Sequence, residues 1–293
     1  MSTSPDPRNE HPSTYVVQDR SNEEELMRLQ KQDQWVTSMM GGVLAEQADP
    51  TTLSRVLDIG CGTGGWLLET ARLYPQISLL SGVDVSKRMI QFARSQAEAQ
   101  QLDQRVEFQV MDALRMLEFP TNHFDLVNAR SSSGYLRTWD WLKFLQECRR
   151  VSRPKGIVRI SEGNMTPHST SPALTRLFGL ALEALYRAGH FFTPEGDSVQ
   201  QKLPGLLERF GFQNVQTRTY QAVTRAGTEE WQLACDDMRL LFRTILPFLQ
   251  KWLQVPDDYQ EIYQQMLSEM QQPDFASTTL MVTVWGKTPF ERN

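Results

Sequence analysis

The sequence predicts an α/β protein: a doubly wound, mostly parallel sheet with an N-terminal helix and a helical cap inserted in the C-terminal half. Three observations predict it. Short apolar runs alternate with amphipathic stretches of helical length between residues 53 and 164, and such alternation requires crossover connections and hence parallel strands. A glycine-rich turn, "GCGTGG" at 60–65, joins the first run to the first helical stretch. Beyond residue 164 the rhythm changes to long helical segments rich in Leu, Phe, Trp, Tyr and Met.

The 293 residues suffice for one large domain, or one domain with a sizeable insertion. Charged residues make up 22% and the formal net charge is -5, which argues against a nucleic-acid partner held through its phosphates. Cys61, Cys148 and Cys235 lie far apart without a C-x-x-C pair, so neither a metal cluster nor a disulfide framework is expected. A reducing, cytoplasmic setting follows. The polar start "MSTSPDPRNEHPS" has no apolar core of a secretory signal. "LFGLALEALY", the most apolar stretch, is too short to span a bilayer.

Residues 1–13 read as a disordered tail and 14–50 as an N-terminal helical segment. Ser21 can cap its helix, Glu23, Glu24 and Glu25 suit the positive end, and Leu26, Leu29 and Trp35 share a face. Gly41 and Gly42 break the pattern, and "AEQADPTT" is a linker. The core, 51–164, begins with the strand "RVLDIG" and the helix "GWLLETARLYP". "ISLLSGVDV" and "KRMIQFARSQAEAQ" form the second strand and helix, and "RVEFQVMDA" the third strand. "FDLVNAR" is followed by the helix "WDWLKFLQECRRVS", and "GIVRISEGN" is the fifth strand. Residues 165–276 form the cap, with one core helix-strand step at 198–222; Gly189 and Gly211 stop helices, and Pro247 kinks or ends another. Residues 277–293 hold the final strand and the C-terminus.

Gly60, Gly62 and Gly65 satisfy G-x-G-x-x-G, the signature of a dinucleotide site. Such a turn offers backbone N–H groups and a helix dipole to an anion, whether pyrophosphate or carboxylate. Asp58, two residues before Gly60, discriminates between them. A carboxylate there repels a pyrophosphate, which argues against NAD, but suits the ammonium of a zwitterionic amino acid. Asp84 ends the second strand, where an acid accepts hydrogen bonds from ribose hydroxyls. Asp112 ends the third, where a carboxylate can accept from an adenine amino group. Amino acid, ribose and adenine in a row describe S-adenosylmethionine.

In order, "VLDIGCGTG", "GVDVSKRMI", "FQVMDAL", "FDLVNAR" and "RPKGIVRISE" resemble the successive motifs of the class I S-adenosylmethionine-dependent methyltransferases. The resemblance covers residues 53–164 and extends more loosely to "LLERFGFQNVQ" and the final strand. It implies a Rossmann-like core and places Asp58, Gly60, Gly62 and Gly64 along the methionine end of the cofactor. Asp84 and its neighbour Val85 fall to the ribose, Met89 near the adenine, and Asp112 and Ala113 at the adenine edge. Asn128 and Arg130 fall where the fourth strand opens toward the methyl group. "EEELMRLQKQ" resembles the helix that covers the cofactor in many small-molecule members, with Tyr15, Arg28 and Gln32 as contact candidates.

Methyl transfer from a sulfonium asks for alignment, exclusion of water and a base where the acceptor carries a proton. His168, after the fifth strand, and His190, in the cap, are candidate bases, with Glu162 a third; Tyr135 could orient an acceptor. No N/D-P-P-Y/F run, Pro-Cys nucleophile or Tyr-x-x-x-Lys pair is present where nucleic-acid methylation or short-chain dehydrogenation would need it. Phe178, Leu182, Tyr186, Phe191, Phe192, Trp231, Met238, Phe242, Trp252, Tyr259 and Tyr263 could line the cap, though stripes at helical spacing are mostly core. The expected function is methylation of a small, apolar or aromatic organic acceptor by in-line displacement, without a metal, by a monomer or homodimer. The alternatives are a protein or quinone/lipid substrate, or a non-catalytic S-adenosylmethionine-binding protein.

Overall fold

The alternation of the sequence becomes a sheet because its apolar runs have two faces to bury. The computed structural model describes residues 14–17, 23–166 and 168–290; the expected tail 1–13 and the Ser21 cap lie outside them. Five strands run parallel: β1 (Arg55–Ile59), β2 (Leu79–Asp84), β3 (Val106–Val110), β4 (Phe124–Arg130) and β5 (Ser152–Gly163). The sheet order is β3-β2-β1-β4-β5-β8-β6, where β6 is His168–Ser169 and β8 is Ala276–Lys287, and β7 (Gln213–Arg225) pairs with β8. β8 is antiparallel to β5, β6 and β7, so one strand reverses an otherwise parallel sheet.

Side chains alternate along each strand and separate into two cores. Leu57, Ile59, Val127, Val158 and Ile160 pack on one face, and Val56, Leu80, Leu126 and Phe108 on the other. The second core is closed by α2 (Gly65–Leu73) and α3 (Lys87–Ala99), through Trp66, Leu67, Ile90 and Ala93. The first is closed by α4 (Trp141–Val151) and α6 (Ser198–Arg209), and by the cap helix α5 (Pro172–Arg187). Helices on both faces make the fold doubly wound, as expected. β1 lies between β2 and β4, the point at which strand order reverses, and the crevice beyond its C-terminal end is where such folds bind ligands.

α1 (Glu23–Met39) lines this crevice with Leu29, Gln32, Asp33 and Val36 and packs against α7 (Glu229–Thr244) of the cap, which backs it. A break at Ile245 separates α7 from α8 (Leu246–Trp252), whose first turn carries Pro247. Proline suits that position because its missing N–H would lack an intrahelical partner there. α9 (Tyr259–Glu269) packs on α5. No helix among the described residues is long and apolar enough to cross a membrane.

Candidate active site

Strand register assembles the site. Asp58, Asn128 and Arg159 face one another across β1, β4 and β5, because Asp58 pairs with Asn128 and Asn128 with Arg159. The three form a polar row through an otherwise apolar layer. Asn128 donates its amide to Asp58 (Nδ2 to Oδ1, 2.7 Å) and accepts from Arg159 (Nη1 to Oδ1, 2.6 Å). Arg159 in turn donates from Nε to Glu46 at 2.6 Å, and neither partner of this ion pair is exposed to solvent. Burial pushes the Asp58 carboxyl up to about 7, against the opposing pull of Arg130 and the Asn128 amide. A carboxylate so desolvated favours a cationic partner.

The glycine turn is tied to β2: Gly60 and Cys61 both donate their N–H to the Val83 carbonyl, at 2.8 and 3.0 Å. Gly60 sits at φ +72°, and a Cβ there would lie 2.8 Å from the Tyr135 hydroxyl oxygen. Only glycine satisfies both the left-handed backbone and this close approach. Asp84 accepts from Gly62 N–H (3.1 Å) and Ser86 N–H (2.8 Å), which fixes its carboxylate at the strand end. Asp112 accepts from Leu114 N–H at 2.9 Å.

These groups converge on a cavity of about 210 Å³. Asp58, Gly60, Gly62, Asp84, Val85 and Met89 line it. So do Asp112, Ala113 and Arg130, together with Tyr15, Gln32 and Tyr135. Cys61, Ser86, Met111, Asp33 and Ser131 also line it, and sequence reasoning missed them as site residues. Met111 and Ser131 each adjoin a residue singled out from the sequence, so their positions were recoverable. Asp33 was not, because its role depends on an ion pair with Arg130, 97 positions away. The Cys61 thiol is pushed well up by burial and by Asp84, so it stays protonated.

Four of the expected site residues fall elsewhere, and a fifth lines a different cavity. Gly64 caps α2 at φ +79°, and a Cβ there would meet the Phe108 ring at 2.6 Å, so it serves packing. Asn128 is wholly buried and reaches the cavity only through Asp58. His168 is exposed on β6, because the chain turns after Gly163 to pair with the start of β8. His190 is buried, donates Nδ1–H to the Ser133 carbonyl at 2.8 Å and packs edge-on against Phe248. Burial lowers its pKa, and neither cavity includes it. Tyr135 does line the first cavity, but burial holds its phenol far above the usual range, so it acts only as a neutral hydroxyl.

A second cavity of about 190 Å³ adjoins the first and shares Tyr15, Gln32, Val36 and Ser131 with it. Its walls are largely apolar, with Phe178, Phe191 and Met238 contributed by the cap. Most other aromatic cap residues are packing, Phe242 among them. Arg28 lines this second cavity rather than the first. It donates from Nε and Nη2 to Glu25, at 2.8 Å each, and from Nη1 to Asp237 on α7 at 3.0 Å. Tyr15 donates its hydroxyl to Glu25 at 2.7 Å. Glu162, at the end of β5, accepts from Ser132 N–H and the Ser133 hydroxyl, at 2.6 Å each, and burial pushes it up to about 7.

Strand-end carboxylates on β1, β2 and just beyond β3 thus line one crevice at the switch point. Residues 56–156, which supply them, match the methyltransferase domain family. That match supports a class I S-adenosylmethionine-dependent methyltransferase. The chain is 26% identical over 180 residues to the demethylmenaquinone methyltransferase of Staphylococcus saprophyticus, covering 57% of this chain and 73% of that one. It is 37% identical over 105 residues to the ajmaline N-methyltransferase of Rauvolfia serpentina, covering 36% of this chain and 34% of that protein. In fold the chain resembles the phosphoethanolamine N-methyltransferase 2 of Haemonchus contortus, whose structure contains phosphomonomethylethanolamine and S-adenosylhomocysteine. That likeness has a TM-score of 0.56 at 18% identity and covers 94% of this chain and 60% of that one.

Proposed function

We propose that the first cavity holds S-adenosylmethionine and that the second takes a small, apolar or aromatic organic acceptor, to which the methyl group passes. The carrying observation is the shared wall: a cavity lined by Asp58, Asp84 and Asp112 adjoins a largely apolar cavity roofed by the cap. The three carboxylates fit the cofactor because ammonium, ribose hydroxyls and adenine amino group are all donors. Asp58 meets the ammonium, Asp84 the ribose, and Asp112 with Ala113 the adenine edge. Val85 and Met89 give the adenine and ribose apolar contact, and the turn at Gly60 and Gly62 lets the chain pass close to the methionine part. Arg130 reaches the cofactor only as half of its pair with Asp33, and so positions more than it binds.

The bound cofactor supplies an activated methyl on a positively charged sulfur. The protein aligns the acceptor against it and excludes water. Tyr15, Gln32, Val36 and Ser131, common to both cavities, mark where the methyl group crosses. Calorimetry with S-adenosylhomocysteine and NADH tests the cofactor assignment: the former binds and the latter does not. NADH binding without S-adenosylhomocysteine binding contradicts it.

The likeness to a demethylmenaquinone methyltransferase supports a second reading, a membrane-borne quinone acceptor. That reading needs an apolar face to dock on the membrane. In α5, however, Leu174, Leu177, Phe178, Ala181 and Leu185 are buried, and Tyr186 is its exposed large apolar side chain. This favours an acceptor that enters the cavity alone.

A further inference from the structure

The second cavity is apolar over most of its wall but carries a cluster of buried charges. Its titratable lining is Tyr15, Arg28, Glu162 and Asp237, and the last three are 3%, 0% and 1% exposed. Arg28 is already matched twice, by Glu25 and by Asp237. One guanidinium therefore serves two carboxylates, and Glu162, the second acid on the cavity wall, accepts from Ser132 and Ser133 instead. An anionic acceptor entering here finds no uncommitted cation and meets two carboxylates that repel it. A cationic head supplies what the carboxylates lack. Burial raises both Asp237 and Glu162, the signature of acids short of positive charge. The aromatic walls, Tyr15, Trp35, Phe178 and Phe191, are the surroundings in which an organic cation is held by ring faces. Trp35 adds an independent sign that a ligand belongs here: it is 6% exposed, and its indole N–H has no hydrogen-bond partner among the described residues. A buried donor left so is costly until an acceptor atom on the body of the ligand, apart from its cationic head, meets it.

We propose that the acceptor is an amine on an apolar or aromatic body, taken into this cavity in its ammonium form by Glu162 and Asp237. The proposal rests on the assignment of the second cavity to the acceptor. An ammonium has no lone pair, so it must first lose a proton. One N–H proton passes to a Glu162 carboxylate oxygen, which becomes the neutral acid, and the bonding electrons remain on nitrogen as its lone pair. The nitrogen then forms the new N–C bond as the S–C bond of the donor breaks, and that electron pair stays on sulfur as a neutral thioether. The positive charge moves from sulfur to the methylated nitrogen.

Three probes of similar size separate the charge classes: 1,2,3,4-tetrahydroisoquinoline, 2-naphthol and 2-naphthoate. Each is titrated calorimetrically into the full chain saturated with S-adenosylhomocysteine. The amine binds about tenfold or more tighter than the other two, the scale of one charge-assisted hydrogen bond. Glu162→Gln abolishes that preference. Because this change also alters the groups around Ser132 and Ser133, Asp237→Asn serves as the second variant and narrows the preference while S-adenosylhomocysteine binding persists. If naphthol or naphthoate binds as tightly as the amine, or both variants keep the preference, the amine assignment is overturned while the acceptor cavity stands. If the protein binds S-adenosylhomocysteine but none of the probes, the acceptor assignment falls with it.

Discussion

Asp58 is the residue on which the proposed cofactor assignment turns, and its environment makes that role measurable. A free aspartate titrates near ~4, whereas burial pushes Asp58 up to about 7. Between those values the folded, unliganded protein holds a proton that the unfolded chain has lost, so this group's contribution to stability falls as pH rises through the window. Ligand binding has the opposite sign. An ammonium beside Asp58 favours the ionised form and expels the proton, so affinity for S-adenosylhomocysteine rises with pH toward about 7 and then levels. Asp58→Asn flattens that profile and weakens binding roughly tenfold to a hundredfold, as expected for loss of a charged hydrogen bond; calorimetry across pH 5 to 8 reads both effects. Gly60→Ala fails for a different reason. It strains a left-handed backbone and drives a methyl into Tyr135, so cofactor affinity drops with the Asp58 carboxylate intact. The acids were legible in the sequence because each ends an apolar strand run. The histidines were not, because position after a strand says nothing of where the chain turns next. His168 left with the turn into β6, and His190 was drawn under the cap to satisfy the Ser133 carbonyl.

Elements meet in this protein through buried ion pairs that the sequence separates widely. Arg159 on β5 reaches Glu46 in the segment after α1, 113 positions away, and Tyr220 on β7 donates to the same carboxylate at 3.1 Å. Through Asn128 this pair holds the amide against Asp58, so a helix-following loop and four strands share one polar chain. Removing one partner leaves the other charged and buried. Glu46→Leu therefore destabilises by ~3–5 kcal/mol in urea unfolding, and it loosens cofactor binding without touching the cavity lining. The α1–α7 pair works alike: Arg28→Met leaves Glu25 and Asp237 buried without a cation and lowers the unfolding free energy by a comparable amount. The succession of strands and helices and the glycine turn could be read from local patterning, since apolar periodicity and turn chemistry act over a few residues. The pairs could not, since Arg28 and Asp237 are 209 positions apart and only the packing of α1 on α7 brings them together.

At the scale of the molecule, two adjoining cavities lie between a fixed sheet edge and a roof made from the N-terminal helix and the cap. The sheet supplies the carboxylates, and the roof supplies Tyr15, Gln32 and Val36, the residues common to both cavities on its side. A ligand in the first cavity therefore bonds sheet to roof. Saturation with S-adenosylhomocysteine at a hundred times its dissociation constant should stabilise the fold by about 2.7 kcal/mol. Amide exchange should slow in α1 as well as at the strand ends; protection confined to the sheet would mean that the roof takes no part. The methyl group is proposed to cross where the two cavities share a wall, and a crystal structure of the protein with S-adenosylhomocysteine shows whether it does. The expected structure has the ammonium at Asp58, the ribose at Asp84, the adenine at Asp112, and the sulfur facing the second cavity beside Tyr15, Gln32, Val36 and Ser131. A sulfur turned away from that wall, with the second cavity cut off from it, overturns the crossing.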